Sequence, residues 1–139
     1  MQVTDKIPKI LTEEHNASLM RPIALQEVET TIQQMAEGTA PGPDGFTTAF
    51  FHHCCDLLKH EVLEIVEESR HKQWVLTALN STFLALIPKE SSATQPGKFR
   101  PISLCNVIYK IITKVVANRL KPILPLLISP EQTSYVEGR

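Results

Sequence analysis

Apolar positions recur at helical spacing in three stretches of the chain and crowd into one short continuous run between the second and the third. Leu25, Val28, Ile32 and Met35 share one face of a helix that opens after Pro22 and stops at Glu37-Gly38. Thr47 is the N-cap candidate for a second helix reaching about Arg70, with Phe50, Phe51, Cys54, Leu58, Val62 and Ile65 as its core face. Trp74 and Leu76 are expected to pack beside it as the chain turns. Asn106 to Leu120 is the third helix, with Ile108, Ile111, Ile112 and Val115 as its buried stripe; Pro122 and Pro125 are expected to end regular structure. The continuous run, Thr82 to Ile87, lies between Asn80-Ser81 and Pro88 and suits a strand. Residues 88–98 read as a loop, and Phe99 to Ser103 as a second strand closing a long-looped hairpin.

Two further segments complete the pattern. Residues 1–20 read as an irregular lead-in with a short helix at most. Pro41-Gly42-Pro43-Asp44-Gly45 fixes two φ angles and offers two glycines for positive φ, so it must be a tight, rigid turn. The fold class is therefore α+β, mainly α-helical with one short β-hairpin. The expected organisation is a lead-in over 1–18 and one incomplete domain over 19–139.

Composition excludes several classes. With 42% hydrophobic and 21% charged residues, the chain is neither disordered throughout nor membrane-like. Its longest apolar run, Ile123 to Ile128, is too short and too Pro-broken to span a bilayer, and residues 1–20 lack the apolar core of a secretory signal. Three cysteines, two of them adjacent, are no disulfide framework, so an intracellular reducing compartment, nuclear or cytoplasmic, is the default.

Charge is unevenly spread. Residues 1–88 hold six Lys/Arg against twelve Asp/Glu, whereas residues 89–139 hold eight against three. The net −1 thus hides an acidic front and a basic back, and a polyanion would bind the back. Lys110, Lys114 and Lys121 fall together, opposite the buried stripe of the third helix, and are the candidate nucleic-acid contacts; a solvated helix face is the plainer reading.

Lys89 follows a strand and a proline, which project one cation from a rigid support. Arg100 precedes Pro101, which biases it toward extended geometry and lets it present its fork to phosphate oxygens. Each alone reads first as a strand-end cation beside solvent; flanking one hairpin, both can face one anion. Arg119 is out of phase, on the apolar side of its helix, and needs a carboxylate or carbonyl partner. His52-His53-Cys54-Cys55 does not read as a zinc site, because adjacent helical residues point about 100° apart. Cys54 reads as a core thiol, and no third group orients a Cys–His nucleophile. Nucleotidyl transfer uses paired metals held by carboxylates. The three aspartates, Asp5, Asp44 and Asp56, sit in a lead-in, a turn and a helix, and Glu61, Glu64, Glu67 and Glu68 read as a solvated face.

Several boxes follow one another in fixed order: Ala40-Pro41-Gly42-Pro43-Asp44-Gly45-Phe46, Asn80-Ser81-Thr82, Leu86-Ile87-Pro88-Lys89, and Phe99-Arg100-Pro101-Ile102-Ser103-Leu104-Cys105-Asn106-Val107. Tyr109-Lys110, Ala117-Asn118-Arg119-Leu120-Lys121-Pro122, Ile128-Ser129, Gln132 and Val136-Glu137-Gly138-Arg139 continue the series. From about Leu19 onward the chain resembles the fingers portion of reverse transcriptases of plant-type non-LTR (LINE-type) retrotransposons. The resemblance implies an RNA-directed DNA polymerase of fingers, palm and thumb, working with Mg²⁺ and deoxynucleoside triphosphates on an RNA template and a DNA primer. It implies that Arg100 contacts the triphosphate and that Lys89 is a fingers cation near nucleotide or template. The turn at Pro41–Gly45 would shape the template entrance. Thr39 stands where the family usually has lysine, so one backbone-phosphate contact is expected to be absent. Cys54-Cys55 stands where the family often has an aromatic residue. The palm aspartates are not in the sequence, so no catalytic residue, metal ligand or cofactor is assigned to this fragment. It is expected to be inactive alone, with Val115, Leu126 and Leu127 left as uncovered apolar surface prone to self-association. The rival readings are a nucleic-acid-binding remnant and a helical protein-interaction module.

Overall fold

The computed structural model describes residues 10–129 and 131. The expectations for residues 1–9, for Asp5, for Gln132 and for Val136 to Arg139 lie outside them. The described residues divide into two compact units: residues 23–114, and residues 10–22 together with those from 115 onward.

In the larger unit, α2 (Leu25–Gln33) buries Val28, Thr31 and Ile32. Leu25 is half-buried, and the helix stops at Gln33, so Met35 lies beyond it and the Glu37-Gly38 stop is not reached. Ala24 has no capping oxygen; instead the Glu27 carboxylate accepts from the Ala24 N–H at 3.1 Å. Thr47 caps the next helix as expected, its hydroxyl accepting from Phe50 N–H at 3.2 Å. That helix is not continuous. α3 (Thr48–His53) and α4 (Cys55–Lys72) meet at Cys54, whose φ of −99° and ψ of 12° leave the helical well. Because Cys54 N–H still reaches Phe50 O at 2.9 Å, the junction is a one-residue kink and not a loop. Helical phase carries through the kink: Phe51, Val62 and Val66 share one face and are buried, while Phe50 is exposed and Cys54, Leu58 and Ile65 are only half-buried.

α4 is fastened to α2 and its flank by polar contacts. Lys59 Nζ donates to Glu29 at 2.8 Å, and Glu67 accepts from Ile23 N–H and from Arg70 Nε, the latter at 2.7 Å. Burial works to raise the Glu67 carboxyl, but the Ile23 and Arg70 hydrogen bonds prevail and hold it below the usual carboxylate range. A carboxyl depressed in the folded state stabilises fully above its unfolded value and loses that contribution as pH falls through the folded one. Urea titrations at neutral and acid pH should therefore show Glu67→Gln less stable at neutral pH, with the difference from the parent shrinking in acid. An undiminished difference in acid would contradict the assignment.

β1 (Thr82–Pro88) and β2 (Phe99–Cys105) pair antiparallel, in a register that sets Thr82 opposite Cys105 and Pro88 opposite Phe99. The hairpin matches expectation, with β2 two residues longer. Its connection contains a 3₁₀ turn at Pro96–Lys98. α5 (Val107–Leu120) follows β2 after the single residue Asn106 and buries Val107, Ile108, Ile111, Ile112 and Val115. Val115 belongs to the buried stripe as expected and is 1% exposed, which overturns its other expected place among the uncovered residues. Leu126 and Leu127 are exposed, as expected. Larger apolar exposure lies where the sequence pattern gave no warning, on both faces of the hairpin at Phe83, Leu84, Leu86 and Ile87.

In the smaller unit, α1 (Glu13–Met20) is the short helix of the lead-in, capped by the Thr12 hydroxyl accepting from His15 N–H at 3.2 Å. A last short helix, α6 (Leu124–Leu127), carries Pro125 in its first turn, so the proline opens structure here where it was expected to end it. Arg119 finds the carbonyl partners its phase demanded. Its guanidinium donates to Leu19 O at 3.0 Å, Arg21 O at 2.6 Å and Pro22 O at 2.9 Å. Lysine cannot reproduce this fork. Arg119→Lys is expected to cost about 1.5–3 kcal/mol, a typical value for one lost hydrogen bond to a charged group, and urea unfolding checks it.

Candidate functional site

The Pro41–Gly45 segment is a hydrogen-bonded turn, Gly45 N–H donating to Gly42 O at 3.1 Å, with Pro43 and Asp44 at its centre. Asp44 Oδ1 accepts from Phe46 N–H at 3.1 Å, closing the turn a second time. Of the two glycines, Gly45 alone takes a positive φ, 78°. Gly42 serves a different need. It is buried against Asn106 N and Oδ1 and the Cys105 carbonyl carbon, so closely that a Cβ would overlap all three. Thr39, in place of the expected lysine, shares a 2.7 Å hydrogen bond with the buried Thr48 hydroxyl.

The hairpin carries the two anion-binding candidates at its far end. Arg100 pairs in register with Ile87, and Lys89 and Lys98 lie just beyond the paired strands, Lys98 as the last residue of the 3₁₀ turn. Lys89 N–H donates to Lys98 O at 2.8 Å, extending the ladder by one step. Lys89 Nζ is turned onto Gly97 O at 2.9 Å, so this cation helps to close the loop. Lys98 pairs with Glu90 at 2.6 Å, both side chains about half exposed. Arg100 is exposed, and among the described residues no hydrogen bond or ion pair engages it. The distal end thus holds three cations and one acid, with one guanidinium uncommitted. Lys98 was missed because only the register reveals that it stands opposite Lys89.

The three helix lysines are not equivalent. Lys110 Nζ donates to Ala40 O at 3.0 Å and so braces the turn, and Lys114 is half-buried one turn later. Lys121 lies just past α5, exposed, and falls in the smaller unit. The His52–Cys55 run is otherwise engaged. His52 reaches Ile32 O at 2.7 Å and Glu37 Oε1 at 3.1 Å, and His53 reaches Ala49 O at 2.8 Å. Burial, followed by the nearby Glu29 and Asp56 carboxylates, pushes the Cys55 thiol up, away from nucleophilic reactivity.

The described residues thus form a mainly helical framework with cations at the far end of its hairpin and a Pro-Gly turn braced by Lys110. Residues 87–139 match the family model described as reverse transcriptase (RNA-dependent DNA polymerase). Over 99% of its length the chain is 30% identical to the "Transposon TX1 uncharacterized 149 kDa protein" of Xenopus laevis. Over 74% it is 32% identical to the "Retrovirus-related Pol polyprotein from type-1 retrotransposable element R2" of Nasonia vitripennis, and over 83% it is 28% identical to the protein of that description from Popillia japonica. The chain spans about a tenth of the length of the first two of these relatives and 15% of the third. It belongs to the reverse transcriptase family, in its non-LTR retrotransposon branch. The plant-type refinement has no support in these frog and insect matches.

Proposed function

We propose that this chain supplies the nucleotide and template contacts of an RNA-directed DNA polymerase of retrotransposon origin, with Arg100 holding phosphate at the hairpin tip. The observation that carries the reading is the exposed Arg100 guanidinium, engaged by no side chain among the described residues, at the hairpin end that also carries Lys89 and Lys98. A planar fork on an extended, proline-flanked strand suits bidentate contact to phosphate oxygens. Lys89 supports it from the loop root. Lys110 is better read as a brace for the turn, which leaves Lys114 and Lys121 as the remaining candidates for RNA backbone. The partners on this reading are an RNA template, a DNA primer and the polypeptide that carries the palm and thumb. No helix among the described residues is long and apolar enough to cross a membrane.

Mg²⁺ belongs to the chemistry of the whole polymerase. Among the described residues no three His, Cys, Asp or Glu side chains stand close enough to share an ion. Asp44 closes its own turn and Asp56 pairs with Lys59 at 3.2 Å, so the described residues do not fit a catalytic metal pair. Equilibrium binding of a fluorescent dTTP analogue to this chain tests the reading, with competition by unlabelled dTTP and by thymidine. The triphosphate should compete and the nucleoside should not, and binding should weaken with salt. Equal competition by thymidine would refute phosphate recognition.

A further inference from the structure

The strands of the hairpin lie open on both faces, with Phe83 58%, Leu84 65% and Leu86 60% exposed. Its direction within the larger unit is therefore decided at its roots. Both roots meet one side chain. Asn106, 3% exposed, follows β2 directly, and its carbonyl accepts Lys110 N–H at 3.2 Å in the first turn of α5. Its Nδ2 donates to Ala78 O at 3.2 Å, in the turn that leads into β1. Its Oδ1 accepts from Asp44 N–H at 3.2 Å, in the Pro-Gly turn. One acceptor faces a donor and one donor faces an acceptor, so the amide fits in this orientation alone. Gly42 admits the close approach that the arrangement needs.

We propose that Asn106 is the positioning residue of the hairpin: by tying the root of β1, the root of β2 and the Gly42–Gly45 turn at one amide, it sets where Arg100 is presented. This rests on the reading of Arg100 as a phosphate contact. The leverage is large. At roughly 3.4 Å per residue a seven-residue strand reaches about 20 Å, so a swing of about 10° at the root moves the tip by about 3.5 Å. That exceeds the tolerance of a direct hydrogen bond to a phosphate oxygen.

Residual dipolar couplings of backbone amides in the weakly aligned wild-type chain test the tie without any variant. Couplings in β1 and β2 should fit the same alignment as those in α2 and α4; independent alignment of the hairpin would overturn the proposal. Asn106→Asp keeps the acceptor for Asp44 and removes the donor to Ala78. In this variant α2 and α4 should keep their couplings, those of the hairpin should shrink, and dTTP affinity should fall at least threefold although Arg100 is present. Unchanged hairpin couplings in folded Asn106→Asp would refute the role, and should the variant not fold, the wild-type couplings decide. Undiminished dTTP binding by Arg100→Ala would sink the nucleotide reading alone, leaving the couplings to judge the tie.

Discussion

Gly42→Ala should unfold the larger unit at markedly lower urea than the parent, with a loss near the top of the 1–3 kcal/mol typical of overpacking. The added Cβ would stand 2.5 Å from the Cys105 carbonyl carbon and nearer still to Asn106 N and Oδ1. Two of these atoms are main chain and the third is a buried amide oxygen engaged by Asp44 N–H, so no flexible side-chain tip can swing away. The turn must lift off Asn106, which breaks the Asp44 bond and uncovers the junction. Gly38→Ala and Gly97→Ala are the controls, since an added Cβ meets nothing within 4 Å at either site and neither needs positive φ. Both should stay within about 0.5 kcal/mol of the parent or gain slightly from a stiffer unfolded chain. A Gly42→Ala melt matching these controls would mean that the turn does not sit on Asn106.

Arg100→Ala should leave folding unchanged and weaken dTTP binding about tenfold. The first half follows from exposure: the side chain has no described partner to lose. The second follows from the worth of a charge-assisted hydrogen bond, about 1.5–3 kcal/mol, taken at its low end because the site is open to solvent and salt. Arg100→Lys should fall between the two, because an ammonium keeps the charge and loses the fork. Lys89→Ala should behave differently. Its Nζ holds Gly97 O, so its removal loosens the loop before it subtracts charge. Isothermal titration of the three variants separates these effects, and an Arg100→Ala protein that binds like the parent would contradict the assignment.

Legibility in the sequence followed the physical range of the signals. The α5 stripe and the hairpin were readable because periodicity and flanking prolines are local. Arg119 was readable as an anomaly, since a guanidinium on an apolar face demands acceptors, but its carbonyls lie about a hundred positions away in the sequence. The Cys54 kink was not readable. No proline or glycine marks it, and the buried stripe runs through Phe51 and Val66, one position beyond the expected Phe50 and Ile65. Gly42 was read as conformational freedom when its role is proximity, which no single-chain pattern encodes. Asn106 reads in the sequence as part of a box and the start of the third helix; its work as a junction appears only once Ala78, Asp44 and Gly42 are seen around it. Family resemblance named the protein class, while the division of labour among Lys89, Lys98, Lys110 and Arg100 came from hydrogen bonds.

The central claim is that the hairpin tip is a phosphate site, and its most direct test is a two-dimensional amide NMR titration of the chain with dTTP. The account predicts shifts concentrated at residues 87–90 and 97–101, diminished by added salt and lost in Arg100→Ala. Shifts centred elsewhere, such as the cleft lined by Ile65, Trp74, Leu76 and Leu79, or no shifts at low salt, would contradict it.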